Sequence, residues 1–185
     1  MKRKFVTPDS ISGDEIKLLR KELGLTQKEF AELINVSKPT IERWESGSKP
    51  VTGPMTLLTQ ILKMYPEHME EFTVPEKSYR LRLWYMYENT VCTIIDVDEI
   101  RRKVKIKNFN NNIMYCAFGV KQKPDFHDYE EFLESRCFPR TRDKMKLMLQ
   151  EFDLPFYDPL MIIEKTAGRV EGDNFWIKIE WQGGE

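Results

Sequence analysis

Residues 12–47 contain three short apolar stripes, each preceded by a hydroxyl residue of the kind that caps a helix and each cut off soon afterwards by a turn. Ser12 opens the first, with Asp14 and Glu15 in the first turn, where the helix dipole favours acids. Ile16, Leu19 and Leu23, with Leu18 beside them, form one helical face, and Gly24 stops it. Thr26 opens the second, and Glu29 three residues on completes a capping box. Phe30, Ala31, Leu33 and Ile34 are its apolar side, and Asn35-Val36 makes the turn. Ser37 opens the third, and Pro39 sits in its first turn, where a missing N–H is harmless. Ile41 and Trp44 face inward, and Ser46-Gly47 ends the segment. A fourth helix, from Pro54 to just before Pro66, carries Leu57, Leu58, Ile61 and Leu62. Helices this short hold only by packing on one another, so the stretch has to fold as an all-α unit.

Past residue 66 the texture changes. Residues 67–78 are acidic and then contain Pro75, which predicts a helix tail and a linker. Residues 79–87 and 90–97 are rich in aromatic and β-branched side chains, with Glu88-Asn89 between them, and predict a β-hairpin. Residues 104–107 alternate and predict a third strand. Residues 108–112 hold four asparagines and predict a turn, followed by a short strand over 113–118. A short helix is expected over 128–133. A longer one opens at Thr141 or Arg142 and runs through Met145, Leu147, Met148, Leu149 and Phe152. Another opens at Asp158-Pro159 and reaches Thr166, and residues 174–181 predict a final strand. The expected fold class is α+β, with an all-α domain over 1–68, a linker over 69–78, and an α+β domain with a small antiparallel sheet over 79–185.

Composition narrows the chemistry. The 185 residues carry 29 Lys and Arg against 30 Asp and Glu, a net charge of −1 that conceals a division. Residues 1–66 hold 11 basic and 8 acidic residues, while 67–185 hold 18 and 22. The basic excess lies in the first third, as contact with a polyanion needs. Cys92, Cys116 and Cys137 include no Cys-x-x-Cys pair, and His68 and His127 are far apart in sequence. That argues against a disulfide framework and a zinc site, and for a reducing cytoplasm. No apolar run is long enough to cross a bilayer, and the basic start at residues 1–4 has no apolar run behind it, so no export signal is expected. No nucleophile elbow, paired His/carboxylate motif or metal set appears, so no catalytic residue, metal or cofactor is expected.

The order Thr26-Gln27-x-x-Phe30-Ala31-x-x-Ile34-x-Val36-Ser37-x-x-Thr40-Ile41-x-x-Trp44-Glu45-x-Gly47 resembles the lambda-repressor-like, XRE-type helix-turn-helix family. The onward stretch Pro50-x-x-Gly53-Pro54-x-x-Leu57-Leu58 is similar to the version in HigA- and MqsA-type antitoxins, without the zinc-binding segment of the MqsA type. The resemblance implies a transcriptional regulator whose third helix enters the major groove of double-stranded DNA. Its outward residues Lys38, Thr40, Glu42 and Arg43 are then the base readers. Arg43 can bond both acceptors on one guanine edge, Lys38 a guanine or a phosphate, and Thr40 a thymine methyl. Glu42 can accept from cytosine or only orient Arg43. Pro39 stands where many relatives carry a long polar reader. Gln27 matches the glutamine that holds a backbone phosphate in this family, at a helix N-terminus that favours an anion. Ser37, Lys49 and Thr52 are further phosphate candidates. Outside that motif, Ser37 would simply be a cap, and Arg43 and Lys38 solvated charges.

In the second domain, Met86-Tyr87, Ala117-Phe118-Gly119, Glu134-Ser135-Arg136-x-x-Pro139-x-x-Arg142, Thr166-x-Gly168 and Phe175-Trp176-Ile177 resemble a small domain associated with HipA-type kinase genes. The glycine-rich loop of a kinase is missing. Arg136, Arg140 and Arg142 gather at a predicted helix start, a setting for an anionic ligand or a partner. The structural alternative has Arg136 and Arg142 paired with acids such as Glu134 and Asp143. Cys137 among them is either a thiol of lowered pKa or a buried, inert one. Trp84, Tyr85, Tyr87, Trp176 and Trp181 read as one packed sheet face, with an aromatic binding face as the alternative. Two functional classes stay open. One is a homodimeric repressor of its own operon that senses something through its second domain. The other is an antitoxin-like protein that binds a partner protein while autoregulating. An enzyme carrying a DNA-binding module is the disfavoured third.

Overall fold

In the computed structural model, which describes residues 4–140 and 145–182, the helices of the first third begin where side chains can answer their orphan N–H groups. Ahead of α1 (Gly13–Glu22), the Ser12 hydroxyl accepts from the Glu15 N–H at 3.2 Å, and the Glu15 carboxylate accepts from the Ser12 N–H at 2.9 Å. Thr26 and Glu29 make the same reciprocal pair ahead of α2 (Gln27–Leu33). Ser37 caps α3 (Lys38–Ser46). Gly53, whose φ of 82° suits glycine, leads into α4 (Pro54–Met64). A 3-10 turn over Pro66–His68 and the single turn α5 (Met69–Phe72) complete a unit that ends at Val74.

The core of this unit is Ile11, Ile16, Leu19, Phe30, Ala31, Ile41, Val51, Met55 and Leu62. Ile11 and Val51 exchange two backbone hydrogen bonds, at 2.9 and 2.8 Å, and so tie the chain before α1 to the chain before α4. Gly13 lies against the backbone of α3 so closely that a Cβ there would overlap the Trp44 carbonyl. On α4 the expected apolar set is only partly inward. Met55, Thr56, Thr59 and Leu62 are buried, whereas Leu57 and Ile61 are 49% and 44% exposed. The helix turns a threonine-bearing face inward and leaves an apolar stripe outside.

The second unit runs from Pro75 and is built on a four-stranded antiparallel sheet, ordered β3-β2-β1-β4. Its strands are β1 (Leu81–Tyr87), β2 (Thr90–Asp98), β3 (Lys103–Asn108) and β4 (Phe175–Trp181). Alternation sorts the side chains, as the pleat requires. Leu81, Leu83, Tyr85, Ile95, Val97 and Ile177 are buried with Tyr129, Phe132 and Leu133 of α6 (Phe126–Ser135) and Ile163 of α8 (Pro159–Thr166). Tyr85 stacks on Phe175 and meets Phe132 edge-on. Trp84 falls on the opposite pleat, in register with Ile94 and Lys178, so the aromatic set divides between two faces.

Several expectations need correction. Residues 113–118 do not make a strand: Ile113–Tyr115 is a 3-10 turn. The asparagines cause this by bonding the backbone locally, the Asn110 side chain accepting from the Asn112 N–H and the Asn112 side chain from the Met114 N–H. The Ala117 N–H then donates to the Thr93 hydroxyl instead of joining a ladder. Helix α6 is longer than its apolar pattern, because Asp125 and Asp128 form a capping box ahead of it. The described part of α7 is Met145–Glu151, and its expected opening at Thr141 or Arg142 lies outside the described residues.

On the face opposite the helices, Arg82 and Asp96 stand directly across β1 and β2. Arg82 Nε and Nη2 donate to the carboxylate at 2.6 and 2.9 Å, and the Ser78 N–H donates to it at 2.8 Å. Both residues are almost fully buried. Arg82→Ala therefore leaves a buried carboxylate without its cation, at a cost of roughly 3 kcal/mol, whereas Arg82→Met combined with Asp96→Leu recovers most of that loss. Urea denaturation of the two variants beside the wild-type chain checks this.

Candidate nucleic-acid interface

The third helix presents two sides. Ile41 is fully buried and Trp44 packs against the same core, which leaves Lys38, Glu42 and Arg43 exposed on the other side and Thr40 half-buried at its margin. Ser37 accepts from the Thr40 N–H at 3.3 Å, and the two hydroxyls lie 2.9 Å apart. The cap and the margin residue are thus one hydrogen-bonded unit at the helix start. Lys38 and Glu42 form an exposed i, i+4 ion pair at 3.0 Å. Glu42 is therefore engaged with Lys38, not with Arg43. Exposed pairs of this kind are worth less than about 1 kcal/mol, so a nucleic acid can displace either partner cheaply.

Arg43 has no hydrogen-bond or ion-pair partner among the described residues, and neither do Lys49 and Thr52. These three line one groove of about 560 Å³, with Trp44, Gly47 and Pro50. A candidate base reader and two candidate phosphate contacts are thereby brought together around an open concavity whose charged lining residues, Arg43 and Lys49, are both basic.

Gln27, the first residue of α2, is held in place. Its amide donates to Glu45 at 2.9 Å. The same carboxylate accepts from Arg20 Nε at 2.6 Å and Nη2 at 3.0 Å, and Arg20 Nη1 donates to the Leu25 carbonyl at 2.9 Å. The Glu45 and Arg20 side chains are 5% and 12% exposed. One carboxylate thus ties α1, the start of α2 and the end of α3. The Arg20 hydrogen bond holds the Glu45 carboxyl below its ordinary range against desolvation, and the Gln27 bond adds to that. One amide hydrogen of Gln27 is used, which leaves its second N–H without a partner among the described residues. The tie is a part of the site that the motif alone did not show. Its signal was available: Glu45 lies one turn beyond Ile41, on the inward side, where a carboxylate demands a partner.

Of the second expected cluster, the two described arginines, Arg136 and Arg140, are held by different partners. Arg136 is 8% exposed, and its donors are taken by Asp173 at 2.7 and 3.1 Å, the Gly168 carbonyl at 2.9 Å and the Phe175 carbonyl at 3.0 Å. It clamps the start of β4 to the end of α6 and is closed to an incoming anion. Its carboxylate partner among the described residues is Asp173 and not Glu134, and Asp143 lies outside them. Arg140 instead pairs with Glu134 at 2.8 Å and lies over the Tyr157 ring. Arg142 lies outside the described residues. Cys137 is half-buried, and burial pushes its thiol up to about 12, the opposite of an activated nucleophile.

Comparison with known proteins agrees with this geometry. The Helix-turn-helix family model matches residues 16–64. Antitoxin HigA-2 of Vibrio cholerae is 33% identical over 58 residues, which cover 31% of this chain and 56% of that protein. The aligned stretch spans little more than half the length of this relative. The first third of the chain is an XRE-like helix-turn-helix domain with HigA-like features, the module of a DNA-binding regulator. No described helix is long and apolar enough to cross a membrane.

The Arg20–Glu45–Gln27 tie makes the helical unit acid-sensitive. Glu45 has a lowered pKa in the fold, so its contribution is fully present above the ordinary carboxylate value and is lost as pH falls through the folded value. Glu45→Ala should cost roughly 3 kcal/mol at neutral pH, because it strands Arg20. The gap between variant and wild type should narrow in acid. Urea titrations followed by circular dichroism at pH 7 and pH 3 read both effects.

Proposed function

We propose that this protein is a sequence-specific double-stranded DNA-binding repressor that acts on its own operon as a homodimer. The first unit, which ends at Val74, supplies the reading head, and the second, which runs from Pro75, a domain for sensing, dimerisation or partner binding; the linker expected over 69–78, with the short α5 in it, is divided between the two units. The observation that carries the reading is the exposed, unpartnered Arg43 on α3, next to Lys49 and Thr52. Arg43 and Lys38 read guanine edges, with Thr40 and Glu42 at neighbouring positions. Gln27, Ser37, Lys49 and Thr52 hold phosphates and fix the register. Dimers of this architecture set their recognition helices roughly 34 Å apart, one turn of duplex. The outer stripe of α4 supports a dimer: Leu57, Ile61 and Met64 recur at helical spacing and are 44–65% exposed.

A second reading is favoured by one specific observation, the match to a protein named an antitoxin. In it the C-terminal domain binds a partner protein, and the helix-turn-helix domain autoregulates. Isolation of a stable complex with the product of an adjacent gene would establish that reading, and purification of the dimer alone would favour a plain repressor.

Fluorescence anisotropy on a duplex selected by the protein from a random library separates the contact types. Arg43→Ala should weaken binding to that duplex by about 1–3 kcal/mol and leave binding to unselected DNA nearly unchanged. Lys49→Ala should weaken both alike and lower the salt slope by about 1. Equal losses on both duplexes for Arg43→Ala would make Arg43 a phosphate contact.

A further inference from the structure

We infer that two copies of this chain join edge to edge through the second half of β4, so that their sheets run on as one across a twofold axis at Ile179. This contact rests on the homodimer reading proposed above and supplies the second unit's share of it. The Gln182 N–H donates to the Arg80 carbonyl and the Glu88 N–H to the Asn174 carbonyl. The even-numbered residues of β4 therefore bond to β1, and the odd-numbered ones turn their N–H and carbonyl groups outward. The chain closes the first half of that outer edge itself. The Phe175 N–H donates to Asp173 at 3.0 Å, the Phe175 carbonyl accepts from Arg136 at 3.0 Å, and the Ile177 N–H donates to the Ala167 carbonyl at 2.7 Å. The second half stays open. The Ile177 carbonyl, both backbone groups of Ile179 and the Trp181 N–H have no hydrogen-bond partner among the described residues. The other edge of the sheet is protected differently: β3 carries Lys103, Lys105 and Lys107 at alternate positions, the kind of charge that keeps an edge from pairing. No such row guards β4. Ile177 and Ile179 line a groove of about 280 Å³ with Ile163 and Ala167, and Trp181 at its end is 39% exposed. An open, apolar half-edge is a template for another strand.

The open half of β4 complements itself, which selects a second copy as the occupant. Laid antiparallel with Ile179 against the partner's Ile179, the two strands pair their outward groups. The Ile179 residues exchange both hydrogen bonds, and each Trp181 N–H reaches the partner's Ile177 carbonyl. The same register sets Lys178 opposite the partner's Glu180, and the twofold axis repeats that pair. It also sets Ile177 opposite the partner's Trp181, on the side of the groove. The neighbouring registers that keep the outward groups paired place Lys178 against the partner's Lys178, or Glu180 against the partner's Glu180. Charge thus fixes the register at Ile179. Glu180 is held ready by Lys77 at 3.2 Å and by the Trp84 indole N–H at 2.8 Å, while the exposed Lys178 has no carboxylate partner among the described residues. The Ala167 carbonyl, already bonded to the Ile177 N–H, bounds the pairing and confines it to residues 177–181.

The test uses the full chain without DNA, by sedimentation equilibrium over a range of concentrations and by amide hydrogen exchange read by NMR. A monomer–dimer equilibrium is expected. The Ile179 and Trp181 amides should be protected only where the dimer is populated, since neither has an acceptor among the described residues of its own chain. Lys178→Glu should weaken association about tenfold, because two symmetry-related pairs turn from attractive to repulsive. Ile179→Pro removes an outward donor and no bond to β1, and should abolish association through this edge. Lys178→Glu, an exposed change, carries the test if the proline variant does not fold. A dimer whose Ile179 amide exchanges as fast as in the monomer, or whose affinity Lys178→Glu leaves unmoved, would overturn the inference and leave the homodimer reading to the outer stripe of α4. A chain that stays monomeric at every concentration would overturn both.

Discussion

A carboxylate on the buried side of α3 is a constraint before it is a feature. Glu45 lies one turn beyond Ile41, so folding α3 onto its core takes that charge out of water. Arg20 from α1 and Gln27 from α2 answer it, and the answer fixes three helices at one point. The apolar core holds the helices together without dictating their rotation. The hydrogen-bonded tie does dictate it, because its partners must meet at fixed distances. The exposed side of α3 is therefore presented as a rigid surface, and Gln27 is aimed as a by-product of the same contact.

Gly13 belongs to the same design. It lets α1 begin directly against the Trp44 carbonyl, immediately before Glu45. Cap, glycine and ion pair converge where α1 and α3 touch, while Lys38, Arg43, Lys49 and Thr52 stay on the outside. The stabilising contacts and the proposed reading residues thus lie on different sides of the unit, so substitutions on the two sides are expected to act on different quantities.

Much of the first unit was legible because capping and 3.6-residue periodicity are local. Ser12, Thr26 and Ser37 marked helix starts that the structure places at the same residues. The inward side of α4 was not legible, since Thr56 and Thr59 are buried by neighbours that periodicity alone does not identify. In the second unit the hairpin, β3 and β4 followed from β-branched and aromatic alternation. Residues 113–118 misled because asparagine side chains satisfied a backbone that otherwise had strand composition. Arg136 misled for a related reason. A run of arginines in sequence resembles an anion site, but Asp173, distant in sequence, claims one of them and Glu134 another. Long-range pairing decides such clusters, and a local pattern does not contain it.

The central claim is that α3 lies in a major groove with Arg43 against a guanine edge, and methylation interference reads that contact directly. Methylation at guanine N7 blocks one of the two acceptors that a bidentate arginine uses. On the selected duplex, one methylated guanine in each half-site should abolish binding of the wild-type chain and make no difference to Arg43→Ala. If no guanine interferes with the wild type, or both proteins show the same pattern, Arg43 does not read a base and the placement of α3 is wrong.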